Sequence, residues 1–128
     1  MKPLTAEWLE KAEGDFAVLE RECRARKRPS YDAACFHAQQ CAEKYLKAML
    51  CERGAEFPRT HDLVSLLELV LRAENPWEHF REDLAYLSEF AVAYRYPGDS
   101  ASRNHALDAR RRCREFRKAA RLSLGFRK

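Results

Sequence analysis

Ala33-Ala34-Cys35-Phe36-His37-Ala38-Gln39-Gln40-Cys41-Ala42-Glu43-Lys44-Tyr45-Leu46-Lys47-Ala48-Met49-Leu50 contains neither proline nor glycine, and it lies between Pro29 and Gly54. Good helix formers fill it, so it reads as one long helix. Ala34, Ala38, Cys41, Tyr45 and Ala48 recur at spacings of three and four, which places them on one face. Four of those five residues are small, so a neighbouring helix can come close there. A second apolar row runs through Phe36, Ala42, Leu46, Met49 and Leu50. The polar residues His37, Gln40, Lys44 and Lys47 are left on a narrow strip. A helix apolar over most of its circumference is covered by others. This stretch is therefore the expected hub of a helical bundle.

The segments on either side supply the covering helices. Thr5 is a candidate cap for a first helix running to about Arg26, with Leu9, Ala12, Phe16, Leu19 and Cys23 as its apolar stripe and Trp8 beside it. Gly14 falls inside that helix and marks a possible close contact with the small-residue face. Arg24, Arg26, Lys27 and Arg28 suit the negative end of the helix dipole. Beyond Gly54, Thr60 is the expected N-cap of a short third helix carrying Leu63, Leu66, Leu67, Val70 and Leu71, with His61 as a structural residue at its start. Asn75-Pro76 opens a fourth, in which Trp77, Phe80, Leu84, Leu87, Ala91 and Tyr94 keep the same spacing. Pro97 and Gly98 stop it. Asp99 or a serine caps a last helix with a buried stripe of Ala106, Ala109, Cys113, Phe116 and Ala120. The expected fold is all-α: an up-and-down four-helix bundle with an additional short helix.

A chain of 128 residues suits a single domain, 1–128, that buries roughly two-thirds of its unfolded surface. Its N-terminal residues lack the apolar core of a signal peptide, and no apolar run approaches the ~20 residues of a membrane span, so the expected location is the cytoplasm. Five cysteines, Cys23, Cys35, Cys41, Cys51 and Cys113, show no CxxC spacing and read as small hydrophobes, with no metal site and no cofactor implied. Charge is unevenly distributed. Residues 1–102 carry 14 basic and 18 acidic side chains (−4), and residues 103–128 carry 10 and 2 (+8). Such asymmetry points to an anionic partner near the last helix, RNA or an acidic protein, or to a solvated basic face.

No phosphate-binding glycine loop or nucleophile elbow is present. The richest polar cluster is the junction before the last helix, where Arg95, Tyr96, Asp99, Ser100, Ser102, Arg103, Asn104 and His105 gather. A helix N-terminus with arginines beside it can hold a phosphate, and an imidazole near a ribose hydroxyl can act as a general base. An ordinary interhelical turn would use the same residues for capping and packing.

Trp8-Leu9-Glu10-Lys11-Ala12-Glu13-Gly14-Asp15-Phe16, Cys35 to Ala48, Thr60-His61-Asp62-Leu63 and Arg95-Tyr96-Pro97 together resemble the HEPN domain family, in order and in spacing, over almost the whole chain. The resemblance implies a homodimeric helical bundle. It also implies a minimal nucleotidyltransferase as partner, in a toxin–antitoxin-like pair. Many members are metal-independent ribonucleases with an arginine followed, after four to six residues, by a histidine. From Arg95 that window holds Ser100, Ala101 and Ser102, and His105 comes later. The resemblance therefore implies first a binding module for nucleotide or RNA, with Arg95, Tyr96, Asp99, Ser102, Arg103 and Lys44 as candidate ligand-binding residues. The alternative is a ribonuclease using Arg95 and His105 in a rearranged motif. In some members a tyrosine near the motif is modified, which draws attention to Tyr94 and Tyr96. Gln40, Lys44 and Lys47 read equally as structural.

Overall fold

The computed structural model describes residues 1–73 and 75–127. Five α-helices account for most of them: α1 (Pro3–Arg24), α2 (Tyr31–Glu52), α3 (Leu63–Leu71), α4 (Arg81–Ser88) and α5 (Arg103–Ser123), with no strand among the described residues. α2 is the hub. It packs on α1, α5, α3 and α4. Thirteen of its residues are buried, from Ala34 to Leu50.

Contacts along the helices fix their directions. Glu22 of α1 accepts the Ser30 N–H at one end, and Glu52 of α2 accepts the Lys2 N–H at the other, so α1 and α2 are antiparallel. Arg110 pairs with Glu20 and Arg117 with Glu13, so α5 runs against α1 and along α2. Arg112 reaches Asp83, and Tyr86 reaches the His105 carbonyl, which sets α4 antiparallel to α5. The order is up-and-down for α1, α2, α4 and α5. The 53–62 loop runs back along α2 to reach the start of α3, the additional short helix.

Local chemistry shifts several boundaries. α1 begins at Pro3, with Lys2 at the N-cap, so Thr5 is not a cap but a buried residue of the first turn. Proline is favoured there because its missing N–H would have no helical partner. The helix ends at Arg24, two residues short of Arg26, and Arg28 adopts φ +49° in the turn that follows. Gly14 is exposed, and a Cβ there would meet nothing within 4 Å, so it marks no close contact. Ser30 caps α2 by accepting the Ala33 N–H at 3.1 Å. Gly54, at φ +72°, closes that helix in a left-handed conformation, with the Ala55 N–H returning to the Leu50 carbonyl. Asp62 rather than Thr60 caps α3, because its carboxylate reaches both the Val64 and Ser65 N–H groups while Thr60 Oγ1 only accepts from Asp62.

The fourth segment departs most from expectation. Residues 77–94 do not form one helix. Asn75–Phe80 and Glu89–Ala91 are 3₁₀ turns flanking α4. A spacing of three serves a 3₁₀ turn as well as an α-helix, so Trp77 and Phe80 keep their inward faces in the tighter geometry. Both rings meet Phe116 of α5, at 5.9 and 5.3 Å between centroids. Tyr94 lies beyond the last turn at φ +63°.

The core keeps most of the stripes read from the sequence, including all five residues on α5. Cys35, Cys41 and Cys113 are buried, Cys23 and Cys51 only partly so, and all five thiols are free. Two residues change sides. Phe36, assigned to an apolar row, is 38% exposed. Lys47, assigned to the polar strip, is 7% exposed and donates to Glu43 at 3.0 Å. No described helix is long and apolar enough to cross a membrane.

Candidate functional site

The junction between α4 and α5 sits against the start of α2. One bond fixes it there: the Ala101 N–H donates to Asp32 Oδ1 at 2.6 Å, joining residues far apart in sequence. Ser102 then caps α5. Its hydroxyl accepts the His105 N–H, and His105 Nδ1 accepts the Ser102 N–H, both at 3.1 Å. Asp99 is left outside the cap, and its N–H returns to the Tyr96 carbonyl. In this reciprocal box the Nδ1 of His105 carries no proton. Tyr94 lies beside it, with its hydroxyl 3.5 Å from Nδ1 and its ring stacked on both His105 and Phe90. A tyrosine at positive φ is strained backbone, held here by two ring contacts. Burial pushes the Tyr94 phenol above its ordinary value.

A recess of about 390 Å³ opens beside this junction, lined by Asp32, Ala33, Phe36, His37, Ala93, Tyr94 and Arg95. Arg95 turns its guanidinium back onto the Ala91 carbonyl at 2.7 Å. His37 comes from the middle of the central stretch, and sequence spacing gave no sign that it would join Arg95. Its Nδ1 meets Asp15 Oδ1 at 2.7 Å, and Lys44 Nζ meets the other oxygen of Asp15 at 2.5 Å. A carboxylate accepts, so Nδ1 donates and Nε2 of the neutral ring is the acceptor. The only advance signal for this arrangement is helical geometry: His37 and Lys44 lie two turns apart on one face of α2, and Asp15 is the buried acid on the facing helix.

The candidate residues thus divide. Arg95 and Tyr94 share the recess with His37. Ser102 and His105 are joined in the cap. Tyr96, Asp99 and Arg103 are exposed around it. Lys44 is tied to Asp15 on the far side of His37. Gln40 donates to Gln39 on its own helix rather than to a neighbour. His61, as expected of a structural residue, donates to buried Glu43 at 2.8 Å and holds the 53–62 loop to α2. Phe36 lines the recess, and Val92 and Tyr96, the chain neighbours of its lining residues Ala93 and Arg95, are 67% and 79% exposed.

The family can be read once this architecture is in view. The HEPN domain model matches residues 5–123. The chain belongs to the HEPN domain family. Two solved structures share its HEPN fold. TT1696 from Thermus thermophilus is 21% identical over 92% of this chain and 96% of its own, with a TM-score of 0.79. ST0689, described as an archaeal HEPN homologue, is 24% identical over 97% and 99%, with a TM-score of 0.71. Comparison with curated proteins gives no match.

Proposed function

We propose that this HEPN protein is a homodimeric binding module whose two junctions meet across a two-fold axis, forming one cleft for nucleotide or RNA, and that it partners a minimal nucleotidyltransferase in a toxin–antitoxin-like pair in the cytoplasm. The observation that carries this reading is the exposure of Phe36, which lines the Arg95 recess, and of Val92 and Tyr96, which flank its lining residues Ala93 and Arg95 in the chain. Large apolar side chains grouped at one end are costly to leave in water, and a second copy would cover them symmetrically. Arg95 and Arg103 would then be supplied twice to one cleft, beside Tyr96, Asp99 and Ser102. Lys44 contributes through Asp15 and His37.

The test is sedimentation of the wild type and of Val92→Glu with Phe36→Glu, with binding of a fluorescent oligoribonucleotide measured in parallel. A wild-type dimer that becomes a folded monomer and loses RNA affinity at least tenfold is the expected result. A monomeric wild type at tens of micromolar would refute the composite cleft. Mixing with a minimal nucleotidyltransferase from the same genome should give a stable complex on gel filtration.

One observation favours a second reading, that of a metal-independent ribonuclease. His105 Nδ1 is occupied in the cap, but His37 shares the recess with Arg95 and is oriented by Asp15. An acceptor nitrogen so held can take a ribose hydroxyl proton while the guanidinium steadies the phosphate. Cleavage of RNA in excess chelator is the check. Loss in Arg95→Ala and His37→Ala, with activity kept in His105→Ala, would identify the rearranged pair. Loss in His105→Ala as well as Arg95→Ala, with His37→Ala active, would identify the other. No wild-type cleavage leaves the binding module standing.

A further inference from the structure

The charge excess of residues 103–128 takes a definite shape on the folded chain. A groove of about 750 Å³ runs between α1 and α5, with six basic side chains, Arg24, Arg110, Arg111, Arg114, Arg117 and Lys118, against two acidic ones, Glu20 and Glu115. Glu20 is the centre of that wall. It accepts Arg110 bidentately at 2.8 and 3.1 Å, Arg24 at 3.0 Å, and lies 3.8 Å from Arg114. Asp108 pairs with Arg111 and Glu13 with Arg117, both at 2.6 Å, but the one Glu20 carboxylate cannot neutralise three guanidinium groups and Lys118 is left over, so the groove keeps a surplus of positive charge. Arg111 is 63% exposed and Arg114 52%. Lys118 has no polar partner among the described residues. Phe16 and Leu107 give the floor an apolar strip, with Arg117 lying over the Phe16 ring at 4.1 Å.

The row has a direction. Arg103, Leu107, Arg110, Arg114 and Lys118 follow one another at spacings of three and four, so they form one line along α5. At 1.5 Å per residue, Arg103 and Lys118 are about 22 Å apart along the axis. The line starts at the junction, beside Ser102, and ends at Lys118 on the wall of the α1/α5 groove. A mononucleotide is too short to use it. A chain with regularly spaced negative charges is not.

We infer that the α1/α5 groove is a track for the phosphate backbone of RNA, carrying the strand away from the junction cleft along α5. This rests on the reading of the junction as a nucleic-acid site, and it adds the polymer's path and the residues that follow it. The aromatic content of the groove is a single ring already covered by Arg117, so contact is to phosphates rather than to stacked bases. Single strands and duplexes offer the same phosphate chemistry.

The test compares fluorescence anisotropy of a labelled trinucleotide, a 20-nucleotide single strand and a 20-base-pair duplex over 50–300 mM salt. The proteins are the wild type, Arg95→Ala and a triple variant, Arg111→Gln with Arg114→Gln and Lys118→Gln, all checked for folding by circular dichroism. The expected result is a triple variant at least tenfold weaker for the long RNA and within twofold of wild type for the trinucleotide. Its plot of log affinity against log salt should be shallower by about 2 units for the single strand, at ~0.7 for each phosphate no longer neutralised. The preferred long RNA identifies the physiological form. An unchanged triple variant beside a weakened Arg95→Ala would overturn the track while leaving the junction reading in place. No binding of any RNA would remove both. Equal competition by an acidic polypeptide would overturn the assignment to RNA in favour of an acidic protein.

Discussion

Phe116→Ala should cost about 3–5 kcal/mol of stability, a large share of what a domain of this size possesses. The ring is fully buried on α5 and stands between Trp77 and Phe80, the two aromatic anchors of the 3₁₀ turn before α4. Its removal leaves a void bounded by two rigid rings and by the α2 side chains behind them. Collapse into that void is restricted, because the turn is already tight. Thermal unfolding should therefore shift down by roughly 10–20 °C. Leu122→Ala is the matched control on the same helix: its side chain is 52% exposed, and its loss should move stability by no more than about 0.5 kcal/mol. A shift in Phe116→Ala no larger than in Leu122→Ala would show that the turn does not depend on this ring.

Glu43→Ala should be nearly as damaging, for an electrostatic reason. Glu43 is almost wholly buried, yet it accepts from Gln39, Lys47 and His61 at 3.1, 3.0 and 2.8 Å. Burial opposes its ionisation, but hydrogen bonds from His61, Gln39 and Lys47 outweigh that and hold its carboxyl below the ordinary value of 4.5. Removing the carboxylate strands the Lys47 ammonium in the interior, at a cost of about 3–5 kcal/mol. Replacing both residues, Glu43→Leu with Lys47→Met, should recover most of the loss, since no unpaired charge remains. A double variant no more stable than Glu43→Ala would show that the charges are not the cause. The same carboxylate gives a pH signature. Its folded pKa lies below the unfolded one, so its contribution is present above about pH 4.5 and is lost as pH falls through the folded value. Glu13 and Glu20 add to the slope with the same sign. Burial of Glu13 is outweighed by its bonds from Arg117 and Tyr45, and Glu20 is held down first by Arg110. Chemical denaturation should show acid sensitivity in wild type that is smaller in the double variant.

Much of the fold is legible in the sequence because burial and helical period act together there. Ala106, Ala109, Cys113, Phe116 and Ala120 are spaced for one face, and that face has a hub to meet. The hub itself is visible because eleven of the seventeen positions from Ala34 to Leu50 are small or apolar. Boundaries are less legible. A proline at N1 and an aspartate two residues after Thr60 each compete with the expected cap, and the winner depends on where the chain must turn. The break in the fourth segment is hidden for a different reason. Three-residue spacing suits two helix types, and only the packing of Trp77 and Phe80 against Phe116 selects the tighter one. The site is the least legible part. The motif window directs attention to His105, whose imidazole completes a cap. His37 shares a recess with Arg95 because the junction is folded onto the start of α2, where the Ala101 N–H donates to Asp32.

The same long-range pairing has a kinetic side. α1 and α2 are neighbours in sequence, joined by residues 25–30, and they make the broadest helix pair in the molecule. Local pairs close at little entropic cost, so this hairpin can form early. α5 must then find it from the far end of the chain. Glu13 and Glu20 wait on α1 as carboxylates, Glu20 with only Arg24 of its own helix beside it, while the incoming helix carries Arg110, Arg114 and Arg117. The last step of assembly is thus the capture of a cation-rich segment by an acidic one within a single chain. Salt should slow it, and polyanions should compete with it while the protein is still being made.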